Sequence, residues 1–113
     1  MLDPGDVVIL NFPGATGTKR RPAVVVSTAL YHAHRPDVLL GLLTTQVDNA
    51  NTPTDYTLLD WHSAGLRQPS AFRSYLVTAE SNVLNGVGKL SQRDWQGVQS
   101  CLSLAIASSL KTS

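Results

Sequence analysis

The chain has 113 residues, 42% of them hydrophobic and 15% charged, and nine Lys and Arg against eight Asp and Glu leave a formal net charge of +1. That length suits one domain with a core that needs no staples, and the near-balance of charge excludes a protein that coats nucleic acid through a bulk basic excess. The single cysteine, Cys101, excludes an internal disulfide framework and a cysteine-based zinc knuckle. No apolar run reaches the roughly 18 residues of a membrane span. Met1 to Asp6 lacks the basic and apolar regions of a signal peptide, so a cytoplasmic location is expected. The low charge density hints at surface covered by a partner.

Short strands are predicted over the first two thirds of the chain. Val7 to Phe12 is rich in β-branched residues and stops at Pro13-Gly14. Ala23 to Ser27 is a second strand, opened by Pro22 at a position where proline is tolerated. Val38 to Thr45 is a third, and its continuous apolar run predicts burial on both faces. A polar loop then leads to a fourth, Thr54 to Leu59, followed by a helical turn from Asp60 to Ala64 with Gly65 as its stop. Ser70 to Thr78 returns to strand, and Val87 to Leu90 is a last short one.

From Ser91 the period changes. Ser91 with Asp94 three residues on is a variant capping box. Trp95, Val98, Leu102, Ala105 and Ile106 then recur at helical spacing, which predicts a helix from about Gln92 to about Leu110. Cys101 falls on its apolar side and reads as core. Short antiparallel strands with one terminal helix make a mainly β single domain, a small barrel or curled sheet.

The most distinctive segment runs from Phe12 to Pro22. Its two glycines predict a mobile loop that can approach a ligand closely, and Lys19, Arg20 and Arg21 follow consecutively. Pro22 biases Arg21 toward an extended backbone at the loop–strand junction, leaving a guanidinium free for bidentate contact with phosphate. The same residues also read as a solvated charge run ending a hairpin. Thr44-Thr45-Gln46 closes the third strand; it could cap that strand through backbone bonds, or offer a proton donor and a reader of base edges. Lys19, Arg20 and Arg73 are candidate phosphate contacts, and Gln46 a candidate base reader.

Other side chains point elsewhere. His32 and His34 flank Ala33 with no carboxylate or cysteine at metal-ligand spacing, so they read as exposed loop histidines and no metal is expected. His62 beside Trp61 reads as packing. Asp48, Asp55 and Asp60 are scattered rather than paired. Tyr75 or Trp95 could stack a base, although Trp95 lies on the apolar helix face.

Taken in order, these segments resemble the PemK/MazF family of toxin endoribonucleases from bacterial toxin–antitoxin pairs. The resemblance rests on Gly5-Asp6-Val7-Val8, the basic loop into Arg21-Pro22-Ala23-Val24-Val25-Val26-Ser27, and Leu42-Leu43-Thr44-Thr45. It continues through Asp60-Trp61, Ala64-Gly65-Leu66, Pro69-Ser70-Ala71-Phe72-Arg73 and Val87-Gly88-Lys89-Leu90-Ser91. It implies an SH3-like barrel with a C-terminal helix, a homodimer, a cognate antitoxin, and cleavage of single-stranded RNA with neither metal nor cofactor. It also implies catalytic roles for Arg21 and Thr44, and it matches Thr18 to the hydroxyl of the family's Gly-hydroxyl loop. Two departures stand out: the basic loop between Gly17 and Arg21 is short, and Ser74-Tyr75 stands where relatives often place an acidic residue.

Cleavage without metal can use the ribose 2′-OH as nucleophile, giving a 2′,3′-cyclic phosphate and a 5′-OH end. Arg21 suits stabilisation of the phosphorane and, being permanently cationic, does not suit the role of base. The base is left open. Two other classes compete: a non-catalytic gyrase poison resembling the CcdB family, whose C-terminal Trp-Gly-Ile is not matched by Ser108 to Ser113, and an SH3-like peptide-binding module, which 6% aromatic content equips poorly.

Overall fold

The computed structural model describes residues 1–14 and 17–107, with the backbone alone at 12–14, 18 and 19. It is mainly β: six antiparallel strands form one curled sheet in the order β4-β5-β3-β2-β1-β6, closed along one face by a C-terminal helix.

Strand β1, Asp6–Gly14, and strand β2, Gly17–Val25, form a hairpin with an unbroken register from Val7↔Val24 to Gly14↔Gly17. The segment expected as a mobile basic loop is therefore ladder, and Lys19, Arg20 and Arg21 are strand residues. The ladder is made by backbone groups, so a run of charged side chains forms strand wherever those side chains can reach water. Arg20 and Arg21 are both exposed. Pro22 sits within β2 opposite Ile9 rather than at its first position. The pairing of β2 with the next strand starts at Ala23, so that side asks no N–H of residue 22.

Helix α1, Ala29–His34, occupies the stretch expected as loop. Thr28 caps it, its Oγ1 accepting the Tyr31 N–H at 3.3 Å. Strand β3, Asp37–Thr44, lies between β2 and β5 and is buried on both faces from Leu40 to Leu43, as its apolar run predicts. Strand β4 is only Tyr56–Thr57, and a hydrogen-bonded turn over 60–65 ends at Gly65 with φ +89°. Strand β5 is Ala71–Glu80 and β6 is Asn85–Lys89. Between Gly41 and Leu43 the β3–β5 register shifts, with Ser74 on β5 at φ 57°, and the Ser74 hydroxyl donates to Thr54 O at 2.7 Å. Helix α2 spans Gln92–Ala105, and Ile106 is already extended, so the helix stops short of the expected Leu110, which lies outside the described residues. Leu104 and Ile106 are 67% and 49% exposed, so no core remains there to prolong the apolar face.

Two apolar clusters flank the sheet. One gathers Val7, Val24, Leu43, Leu58, Phe72, Val98 and Cys101 under α2, with Trp95 packed at its margin. The other gathers Val8, Leu10, Ala23, Val25, Leu40 and Leu42 on the opposite face. Burial of each such side chain is worth about 1.5–3 kcal/mol.

The start of α2 is tied down by a buried carboxylate. Ser91 Oγ accepts the Asp94 N–H, completing half of the expected box, but Asp94 does not reach back to its own N-terminus. Its oxygens accept from Tyr56 Oη at 2.8 Å, Leu59 N at 3.0 Å and Asp60 N at 2.8 Å. Asp60 in turn takes a two-nitrogen fork from Arg93 at 2.7 Å and a bond from the Ser91 hydroxyl at 2.6 Å.

Candidate functional site

Three paired positions join β2 to β3: Ala23↔Leu42, Val24↔Gly41 and Val25↔Leu40. Continued by two places, that register sets Arg21 opposite Thr44. Both line one open cleft of about 380 Å³ between the middle of β2 and the end of β3, with Arg20, Pro22, Thr45 and Gln46 around them. Side chains two apart on a strand share a face. Arg21 thus lies on the face of Ala23 and Val25, and Thr44 on that of Leu40 and Leu42, which is the same side of the sheet.

Thr44 is half-buried, and its Oγ1 accepts the Gln46 N–H at 3.1 Å. The capping and chemical readings of this residue are therefore compatible: the oxygen fixes the backbone and orients the hydroxyl, whose hydrogen stays free to donate. Gln46 is held similarly, its Oε1 accepting from Asn49 Nδ2 at 3.2 Å, which leaves its own amide N–H groups for a ligand. Arg21 stands on the ladder, so the base of its side chain is set by the sheet while its guanidinium is exposed.

A second, larger groove of about 670 Å³ adjoins this cleft and shares Arg20, Pro22 and Thr45 with it. Its far wall is the 65–68 turn, which contributes Leu66, Arg67 and Gln68, and Ile9 and Val87 line it as well. No carboxylate is present among the described residues that line either cavity. Neither Arg20 nor Arg67 makes an ion pair among the described residues. Charge here is of one sign.

The remaining predicted residues are distributed differently. Arg73 lines neither cavity; its Nε lies 3.7 Å from Asp55 Oδ1, and Asp55, whose side chain is 3% exposed, also accepts from Thr52 N and Thr52 Oγ1. Thr18 and Lys19 sit on β2 opposite Pro13 and Phe12, with side chains outside the described residues. His32, expected to be an exposed loop residue, is half-buried on α1 with Nε2 2.5 Å from Ser27 Oγ. His34 and His62 are exposed, and His62 stacks edge-on against Trp61. Among the described residues no group of three or more His, Cys, Asp or Glu could hold a metal ion. No helix among them is long and apolar enough to cross a membrane.

Arg67 and Gln68 were not singled out from the sequence. The resembling segments stop at Leu66 and resume at Pro69, and one arginine in a polar turn carries no local signature. Only folding brings it to the same groove as Arg20.

The fold matches solved structures over nearly its whole length. An endoribonuclease in complex with its cognate antitoxin from a mycobacterial species is 18% identical, with a TM-score of 0.75 and coverage of 93% of this chain and 94% of that one. A MazE–MazF structure from Deinococcus radiodurans is 22% identical, TM-score 0.71, covering 92% and 95%. The Mycobacterium tuberculosis toxin MazF-mt6 is 20% identical, TM-score 0.71, covering 88% and 94%. No curated protein sequence matches the chain at a significant level. The family model described as "PemK-like, MazF-like toxin of type II toxin-antitoxin system" matches residues 3–106. The chain therefore belongs to the PemK-like, MazF-like toxins of type II toxin–antitoxin systems.

Proposed function

We propose that this toxin is a metal-independent endoribonuclease that cuts single-stranded RNA in the cytoplasm, with Arg21 and Thr44 as its catalytic residues. The observation that carries the reading is that Arg21, midway along β2, and Thr44, at the end of β3, line one cleft whose described lining includes cations but no carboxylate. Arg21 takes two oxygens of the scissile phosphate through its planar fork and stabilises charge as the phosphorane forms. The 2′-oxygen attacks phosphorus and the bond to the 5′-oxygen breaks. The Thr44 hydroxyl donates a hydrogen bond to the phosphorane or the departing oxygen. The 2′-OH gives up its proton as it attacks, and the leaving 5′-oxygen takes one up as its bond to phosphorus breaks. Arg20, Lys19 and Thr18 contact the RNA strand, and Gln46 presents its amide to a base edge.

The toxin acts as a homodimer and is neutralised by a cognate antitoxin. Support comes from structural neighbours solved with their antitoxins, and from large apolar side chains left at the surface, including Leu59, Tyr75, Val83 and Leu104. The test is incubation of the purified protein with mixed-sequence RNA in excess chelator, followed by mapping of the ends. Cuts with 2′,3′-cyclic phosphate ends are expected, and none where the scissile nucleotide is 2′-deoxy. Intact RNA, or cutting at a 2′-deoxy position, overturns the proposal.

A further inference from the structure

We infer that the groove between β2 and the 65–68 turn is a second nucleotide subsite, holding the RNA nucleotide next to the scissile one. Arg67 takes its phosphate and Gln68 reads its base. This rests on the ribonuclease reading above and specifies how substrate is selected.

The groove shares Arg20, Pro22 and Thr45 with the catalytic cleft. Arg20 and Pro22 alternate with Arg21 on β2 and face the other side of the sheet, so a strand whose scissile phosphate lies at Arg21 enters the groove by passing round β2 beyond the end of β3. Its size of about 670 Å³ lies in the range of small-ligand sites. Its chemistry has two parts. Buried Leu66 and half-buried Pro22 offer an apolar surface to the face of an unstacked base. Arg20 and Arg67, exposed and without ion-pair partners among the described residues, stand at the rim where a phosphate would pass.

The wall itself is built rather than loose. Gly65 at φ +89° approaches β6 so closely that a Cβ there would strike the Val87 carbonyl. Leu66 N donates to Trp61 O at 3.2 Å, and Ser70 Oγ donates to Gln68 O at 3.0 Å, so the backbone on both sides of Arg67 is anchored. An apolar floor with a cationic rim and no carboxylate fits a nucleotide better than a hydrophobic or basic peptide segment.

The test measures binding of a non-cleavable RNA, 2′-deoxy at the scissile nucleotide, across a salt series, alongside maps of cut sites in mixed-sequence RNA. Arg67→Ala is expected to lower the log–log salt slope by about 0.7, the share of one phosphate on a single strand, and Arg67→Lys to restore it. Gln68→Ala is expected to leave that slope unchanged while relaxing base preference roughly tenfold at one position beside the cut. Both side chains are exposed, and equal melting temperatures identify folded variants. Wild-type slope in Arg67→Ala together with a wild-type cut map in Gln68→Ala overturns the subsite and leaves the nuclease standing. Wild-type protein that neither binds nor cuts RNA overturns both.

Discussion

Tyr56 donates its phenolic hydrogen to Asp94 across 2.8 Å, joining the two-residue strand β4 to the first turn of α2. Asp94 is fully buried and receives two backbone N–H groups besides this hydroxyl, so the helix is positioned by one carboxylate. Asp94→Ala should cost about 3 kcal/mol, since each buried donor left unsatisfied costs about 1–3 kcal/mol. A denaturant midpoint within error of wild type would refute this role.

The same bond makes an alkaline prediction. Burial, then the bond to Asp94, pushes the Tyr56 hydroxyl from its ordinary 10.0 up to about 12. A raised folded-state value favours the protonated form in the native state. The contribution is complete below pH 10 and is lost as pH rises toward about 12. Chemical unfolding at a series of pH values should show that loss in wild type and a flatter profile in Tyr56→Phe.

At low pH the sensitive group is Asp60. The Arg93 guanidinium, then the Ser91 hydroxyl, lowers its carboxyl from 3.8 to about 2. A depressed value stabilises the ionised form, so this contribution holds above pH 3.8 and disappears as pH falls toward about 2. Replacing Arg93 with alanine should flatten the acid limb of the stability profile, measured by thermal melting between those values.

Gly97 lies in the middle of α2, where Gly→Ala ordinarily stabilises a helix by about 1 kcal/mol. Here a Cβ would run into the Tyr56 ring. Overpacking of that kind costs about 1–3 kcal/mol, and it also displaces the Tyr56 hydroxyl from Asp94. Gly97→Ala is therefore expected to be destabilising, and a raised melting temperature would contradict the packing described.

How legible these features were depends on how local their causes are. β3 announced its double burial through an unbroken apolar run, and α2 announced its buried side through Val98 and Cys101 at helical spacing. The charged half of β2 did not read as strand, because its ladder is formed by backbone groups while its side chains resemble those of a loop. Helix α1 has six residues, none of them buried, and so no apolar period to detect. Asp94 was legible as a cap neighbour, yet its partners Tyr56, Leu59 and Asp60 stand 34 to 38 residues earlier. Arg73 looked like Arg20 in sequence; Asp55 beside it distinguishes them only in the fold. Arg21 and Thr44 are candidates from their residue types and family resemblance, and only the fold puts both on the lining of one cleft.

The central claim concerns that pair, and single-turnover cleavage of one defined RNA by Arg21→Ala, Thr44→Ala and the double variant tests it most directly. Each single change should slow cleavage by about 10²–10³-fold, the usual effect of removing one preorganised donor, with melting temperature preserved because neither residue belongs to the apolar clusters. A double variant that folds and cuts at close to the wild-type rate would contradict the account.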